Sequence, residues 1–329
     1  MNRKVISSFA FKFTERIAAK GIGLVISVIL ARLLAPETFG LLAIISVFIN
    51  FAQVFVQNGL GTALVQNRTT TKEDYSTVFY FSLGMAVILY AILFAGAPLI
   101  ALYYENGVLT WPIRVMSLSL PIGALNSVQN AKLQREMKFQ KAMYCNLAAT
   151  VIAGTIGVAA AYAGAELWAL VIYQLSSIVI VTVIMLLADS WHPQLIFSYR
   201  RMKQFWSFGW KMLVSGLLCS LYIDVRSLII AKKFSVTDLA VYNKGQQFPD
   251  IISNTMDSAI QAVMLPVMSE KQDSQKSLNE MLLKTQAMSM FIVAPMVLGL
   301  AAVAETLIPF LLTEKWSGSI PYLMIFGIS

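Results

Sequence analysis

The sequence predicts an all-α, polytopic membrane protein, and three observations carry that prediction. Hydrophobic residues make up 57% of the 329-residue chain and charged residues only 13%, at a mean hydropathy of +0.69; soluble domains carry about 25% charged residues. The apolar residues come in blocks long enough to cross a bilayer, which takes about 20 helical residues. The Lys and Arg residues fall mainly in the short connections between those blocks, where they orient a chain in a membrane. The net charge of +8 therefore points to membrane lipid as a partner, and no nucleic-acid partner is expected.

The N-terminal stretch "MNRKVISSFAFKFTER" is basic and precedes an apolar run. No clean small-residue cleavage site follows, so it reads as part of a retained first helix. That span covers Ile17–Leu34, with Glu15, Arg16, Lys20 and Ser27 marking one end and face. The connection "ARLLAPETFG" leads to a second span, Phe39–Leu64, in which Ser46, Asn50, Gln53 and Gln57 recur at helical spacing and form one polar face. The third span is Val78–Tyr103, and the fourth, Val108–Leu125, holds Arg114 between Pro112 and Pro121. Ala142–Ala163 and Leu167–Ala188 are the fifth and sixth.

The longest polar connection, Asp189–Lys211, contains "YRRMKQFWSFGWK". Its mixture of basic and aromatic residues predicts an amphipathic helix in the cytoplasmic interface and, compatibly, an anchor for the next span. The seventh span, Met212–Ala231, carries Ser220, Asp224 and Ser227 on one face with Arg226 beside it. The eighth, Leu239–Met268, has Lys244 near its start and a polar stripe of Asn243, Gln247, Asp250, Asn254, Asp257 and Gln261. Met281–Leu312 is the ninth. Residues Ile320–Ser329 begin a tenth helix too short to cross a bilayer, and a longer protein is expected.

The connection has an echo 200 positions on. Ala31–Gly40 ("ARLLAPETFG") aligns with Ala231–Ala240 ("AKKFSVTDLA"), and the same offset sets Asn50 against Asp250 and Gln57 against Asp257. A duplicated six-span unit is predicted, with its copies parallel because an even number of crossings separates them. With the N-terminus cytoplasmic, 18 basic residues fall on the inner side and four, Arg32, Lys232, Lys233 and Lys315, on the outer. This division gives an N-terminal lobe at 1–190, a cytoplasmic amphipathic connection at 191–211, and a partial C-terminal lobe at 212–329.

A carboxylate at the bilayer centre costs about 3 kcal/mol on insertion scales, so such groups face a bundle interior or a wet cavity. The cavity candidates are Arg16, Lys20, Asn50, Gln53, Gln57, Arg114, Asp224, Arg226, Lys244, Gln247 and Asn254, with Asp250 and Asp257 as ion-coupling candidates. A helix–helix hydrogen-bond seam, or ion pairing among the charges, is the alternative reading of the same residues. A cavity with both signs suits phosphate, which arginine grips through paired hydrogen bonds. The chain has no nucleotide-binding Gly-rich loop, nucleophile elbow or HExxH motif, and no paired Cys/His spacing. Cys145 and Cys219 lie in separate apolar segments, and His192 stands in a connection. No catalytic residue, metal or cofactor is expected, and transport is favoured over an enzyme of polymer assembly.

"LARLLAPETFGLLAI", "NGLGTALVQNRTTTKEDYSTVFYFSL" (Asn58–Leu83), "LQREMKFQK" (Leu133–Lys141) and "YIDVRSLIIAKKFS" (Tyr222–Ser235) together resemble the polysaccharide-transporter branch of the multidrug/oligosaccharidyl-lipid/polysaccharide flippase superfamily. Ala240 stands where the family's second connection usually has glycine. The resemblance implies two six-helix lobes around a cavity that opens alternately to each side, the second lobe being incomplete in this chain. It implies a Wzx-like exporter of undecaprenyl-pyrophosphate-linked oligosaccharide in the bacterial inner membrane, feeding exopolysaccharide or lipopolysaccharide synthesis beside polymerase and chain-length machinery. Arg16 and Arg226 become head-group contacts by that resemblance. An ion-coupled drug or metabolite antiporter of the same superfamily is the alternative.

Overall fold

The computed structural model describes residues 20–57, 61, 64, 71–136, 139–188, 193–270 and 275–328, and among these it is helical with no strand. The helices are α1 (20–33), α2 (Pro36–Gln57), α3 (Lys72–Tyr103), α4 (Thr110–Met116), α5 (Ser119–Arg135), α6 (Phe139–Tyr162), α7 (Leu167–Ala188), α8 (Tyr199–Lys233), α9 (Val236–Glu270), α10 (Gln275–Ala302), α11 (Ala304–Leu312) and α12 (Ser319–Ile328). Seven stretches among the described residues are long and apolar enough to cross a membrane. Their large side chains explain why: in α3 Ile88, Leu99 and Leu102 are exposed, and in α8 Leu218, Ile223 and Ile229 are too. Exposed apolar surface on this scale needs lipid, not water.

The chain groups into two compact units. One comprises Leu33–Leu239, that is, α2 to α8. Here α6 packs along α7, α3 along α5, and α2 against α8. Small side chains let the helices approach: Ala52, Ala86 and Ala124 form one buried cluster with Val56 and Leu120. A second cluster joins Val78, Phe79, Val128, Met202 and Phe205. Between α5 and α7 Asn126 Nδ2 donates to Thr182 Oγ1 at 2.9 Å, a polar tie of the kind that fixes helix pairs in lipid.

The other unit comprises residues up to Arg32 and Ala240–Ser329. Its helices α10 and α12 pack together. A Cβ on Gly327 would lie 2.7 Å from Ala301 Cβ, and one on Gly245 would lie 2.6 Å from Tyr322 Cβ, so both glycines mark close helix approach. Tyr242 stacks edge-on against Tyr322 and Phe326. Trp316 is fully buried and donates from Nε1 to Ala31 O at 2.9 Å. Lys315 Nζ reaches Arg32 O at 2.7 Å, and Arg32 Nε donates in turn to Leu311 O at 2.7 Å. The last carbonyls of α1 thus find donors that the helix itself lacks.

The echo in the sequence has a structural counterpart. Residues 31–40 and 231–240 share one secondary-structure pattern: a helix to 33 or 233, a bend at Leu34 or Phe234, and a new helix from Pro36 or Val236. The two restarts use different chemistry. Pro36 takes the first helical position, where its missing N–H costs nothing, with Glu37 in the first turn. At the second, Ser235 Oγ accepts from Asp238 N at 3.0 Å while Asp238 Oδ2 accepts from Ser235 N at 3.1 Å, a reciprocal capping box.

Three predicted spans take a different course. The fourth is two helices, because Pro121 has no N–H for the Ser117 carbonyl; Leu120 N donates to it instead, at 3.0 Å. The ninth is interrupted between Ala302 and Ala304. The seventh does not follow a separate interfacial helix: the basic-aromatic stretch and the span form one continuous helix, α8. The eighth predicted span is α9, which is absent from the seven because its polar stripe lowers its hydropathy.

Asp74 shows how α3 organises its surroundings. Thr71 caps the helix, with Thr71 N donating to Asp74 Oδ2 at 2.8 Å and Asp74 N to Thr71 Oγ1 at 3.4 Å. Asp74 is fully buried, and Arg201 Nε lies 3.5 Å from its Oδ1. Buried Ser76 and Thr77 accept from the backbone N–H of Gln194 and Ser198 at 3.1 and 3.2 Å. One helix start therefore holds the polar connection before α8. Asp74→Ala should destabilise the protein by about 1–2 kcal/mol, the usual worth of a cap. Asp74→Asn should recover part of that loss in thermal unfolding in detergent, and equal losses for both would contradict the assignment.

Candidate functional site

The site candidates are polar groups on helices that are otherwise apolar, so the question is what each is bonded to. In α9, positions 243, 247, 250 and 254 recur every three or four residues and share a face. Lys244 lies one residue from this stripe and is buried, 5% exposed. Its Nζ donates to Ser27 Oγ at 2.6 Å and to Gln247 Oε1 at 2.9 Å. Gln247 Nε2 donates to the same Ser27 oxygen at 3.4 Å. The ammonium also lies 5.7 Å from the Trp316 ring, within range of a cation–π attraction. The structure thus brings Lys244, Gln247 and Ser27 into one network between α9 and α1. Further along the stripe Asp250 and Asn254 are exposed.

In the α2–α8 unit, Asn50 is exposed and Gln53 half-buried. Asp224 is half-buried and accepts from Ser220 Oγ at 2.7 Å, one helical turn away. Arg226 is exposed, its guanidinium 5.8 Å from the Tyr222 ring. Lys20 is half-buried at the first described position of α1. Arg16 lies outside the described residues, as do the side chains of Gln57 and Asp257. Exposed Asn50 and Arg226 on helices of a membrane protein need water or a polar ligand, because lipid would leave them unsolvated.

Arg114 has a use that the sequence hides in a different helix. In α3, Pro98 has no N–H to give the Phe94 carbonyl four residues earlier. Arg114 Nε donates to that carbonyl at 3.2 Å, and the guanidinium stacks 4.5 Å from the Phe94 ring and 5.2 Å from the Trp111 ring. Arg114→Leu should cost about 1 kcal/mol, the net worth of one hydrogen bond, by removing the donor to that carbonyl. Pro98→Ala, which restores the helical donor, should rescue it. A double-mutant cycle on unfolding midpoints reads the coupling, and strict additivity would refute it.

No group of three or more His, Cys, Asp or Glu able to hold a metal is present among the described residues. Among the residues that sequence reasoning missed, Ser76, Thr77 and Asn126 leave no pattern in the chain. Thr71–Asp74 does, as a Thr-x-x-Asp capping box before an apolar run.

Long apolar helices, breaks at prolines and polar side chains on spans define a multi-pass helical membrane protein. The chain belongs to the family described as "Polysaccharide biosynthesis protein", whose model matches residues 29–321. It is 26% identical over 281 residues to the "Teichuronic acid biosynthesis protein TuaB" of Bacillus subtilis (strain 168), covering 84% of this chain and 58% of that one. To the "Succinoglycan biosynthesis transport protein ExoT" of Rhizobium meliloti (strain 1021) it is 24% identical over 301 residues, covering 92% and 61%. The chain thus spans about three-fifths of the length of these curated relatives. In fold it is similar to a "Lipid II flippase MurJ, inward closed conformation", at a TM-score of 0.76 and 13% identity, covering 98% of this chain and 74% of that one.

Proposed function

We propose that the complete protein is a flippase that moves undecaprenyl-pyrophosphate-linked oligosaccharide repeat units across the bacterial inner membrane by alternating access, for exopolysaccharide or lipopolysaccharide biosynthesis. The observation that carries this reading is family membership across residues 29–321. The names of the relatives, which concern succinoglycan transport and teichuronic acid biosynthesis, favour it over the drug or metabolite antiporter. In this reading the protein is a transporter and not an enzyme, its N-terminus is cytoplasmic, and the lobes divide at 1–190, 191–211 and 212–329. Polymerase and chain-length machinery take up its product.

The polar positions then have distinct roles. Lys244, which donates to Ser27 and Gln247, offers positive charge to a pyrophosphate, and Arg16, Lys20 and Arg226 add to it. Asn50, Gln53, Gln57, Gln247 and Asn254 suit sugar hydroxyls. Asp224 orients through Ser220, and Asp250 and Asp257 are the ion-coupling pair. The polyprenyl tail remains in lipid, where burying polar groups would be costly.

Deleting the complete gene should leave lipid-linked repeat units in the cytoplasmic leaflet, read by a leaflet-resolved assay of labelled glycan. Normal surface polymer after a clean deletion without a paralogue would overturn the reading. Lys244→Met in the complete protein keeps the apolar stem and removes the ammonium. It should lower transport at least tenfold at unchanged membrane abundance, whereas Ser27→Ala should lower it less.

A further inference from the structure

The α2–α8 unit contains a cavity of about 620 Å³ that the transport reading does not use. It lies where the last turn of α3 and the last turns of α8 flank α2, and its volume is within the range of about 300–1,000 Å³ typical of small-molecule sites. Its walls are Phe48, Leu99, Ile100, Leu228 and Ile229, all apolar. Lys232, Lys233, Tyr103 and Tyr104 also line it. Leu99 and Ile229 are 69% and 52% exposed, which leaves the apolar wall open to the surface.

The polar groups there are not equivalent. Lys232 is already engaged: its Nζ donates to Tyr103 O at 2.6 Å, pairs with Glu105 Oε1 at 3.0 Å and sits 4.8 Å from the Tyr103 ring. Glu105 makes that pair from a left-handed backbone conformation, φ 54°. Lys233 is exposed and has no ion pair among the described residues. Burial, together with neighbouring Tyr103, pushes Tyr104 up to about 12, so its phenol remains a hydrogen-bond donor at any physiological pH. An apolar trough with one unbalanced cation and a phenol O–H together complements a molecule with a long apolar chain and an anionic phosphate head.

We propose that this cavity holds an anionic phospholipid of the surrounding membrane, with an acyl chain along Leu99, Ile100, Leu228 and Ile229 and its phosphate at Lys233 and Tyr104. The lipid is a resident of the fold and not the transported molecule. The inference rests on these helices crossing a membrane and is independent of what the protein carries.

The full chain is purified in zwitterionic detergent and titrated with phosphatidylglycerol or phosphatidylcholine, with retained lipid counted by native mass spectrometry. One phosphatidylglycerol should be retained in preference to phosphatidylcholine. Lys233→Glu should weaken its retention roughly tenfold, while Lys211→Glu on the same helix should not. Glu105→Gln, which removes the competing anion, should strengthen it. Leu228→Trp, which fills the trough, should weaken both lipids and keeps the test decisive if a charge variant misfolds. Equal retention of the two lipids, insensitivity to Lys233→Glu, displacement by millimolar inorganic phosphate, or stronger retention of undecaprenyl phosphate would each overturn the proposal. So would a dimer that forms in place of lipid binding.

Discussion

Gly40→Val should be among the most damaging single substitutions in this chain, lowering stability by more than about 3 kcal/mol, the upper end of ordinary overpacking costs. A Cβ at residue 40 would stand 1.9 Å from Val236 O and 2.7 Å from both Val236 C and Val236 Cγ1. A flexible side chain can swing away from such a contact. A backbone carbonyl at the start of a helix cannot, because it is fixed by the turns on either side. Residue 236 follows directly on the bend at Phe234, so relief would mean moving α9's first turn. Even Gly40→Ala should lower the unfolding midpoint in detergent by several degrees. An alanine variant as stable as the parent would show that α2 and this turn are farther apart than described. The matching position, Ala240, is buried and already carries a methyl group, so the two junctions share a backbone course but not a packing solution.

Trp316→Ala should cost about 3–5 kcal/mol, the range for deleting a large buried aromatic. Trp316 is fully buried and its indole N–H serves a carbonyl at the end of α1. Two losses therefore combine: a cavity the size of an indole, and an acceptor without its donor. Trp316→Phe separates them, keeping most of the ring volume and losing the hydrogen bond; it should cost about 1 kcal/mol beyond the smaller packing loss. Thermal unfolding followed by intrinsic fluorescence or scattering checks both variants. The neighbouring Lys244 ammonium lies over the same ring, so Trp316→Ala should also loosen the Lys244–Ser27–Gln247 network. A Trp316→Ala protein of parental stability would contradict the packing described here.

How much of this was legible in the chain differs by element. Periodicity and breakers marked α6 and α7 to within three residues, because apolar length is a local property that lipid reads directly; α3 begins six residues before the expected Val78, in the polar capped turn that apolar length does not register. The junction at 31–40 and its echo at 231–240 could be aligned by residue type, and both adopt the same helix–bend–helix course. The break within Val108–Leu125, expected as one span, was not read from Pro121, and neither was continuity across Arg200–Met212, since a basic-aromatic stretch is equally compatible with an interfacial helix and with the first turns of a span. Lys244 and Gln247 could be placed near one face of one helix. That Ser27, more than 200 residues away, completes their network could not.

What the sequence alone determined is the class of molecule: its composition requires a lipid environment, and its repeat of apolar blocks requires helices. These follow from the cost of exposing apolar groups to water and unpaired backbone groups to lipid, both readable one segment at a time. Tertiary structure alone decided which polar residues are occupied by structure. Arg114 serves the carbonyl orphaned by Pro98, Arg201 pairs with buried Asp74, and Trp316 and Lys315 finish α1. Each of these depends on two segments meeting, and a buried hydrogen bond constrains donor and acceptor without imposing any spacing between them along the chain.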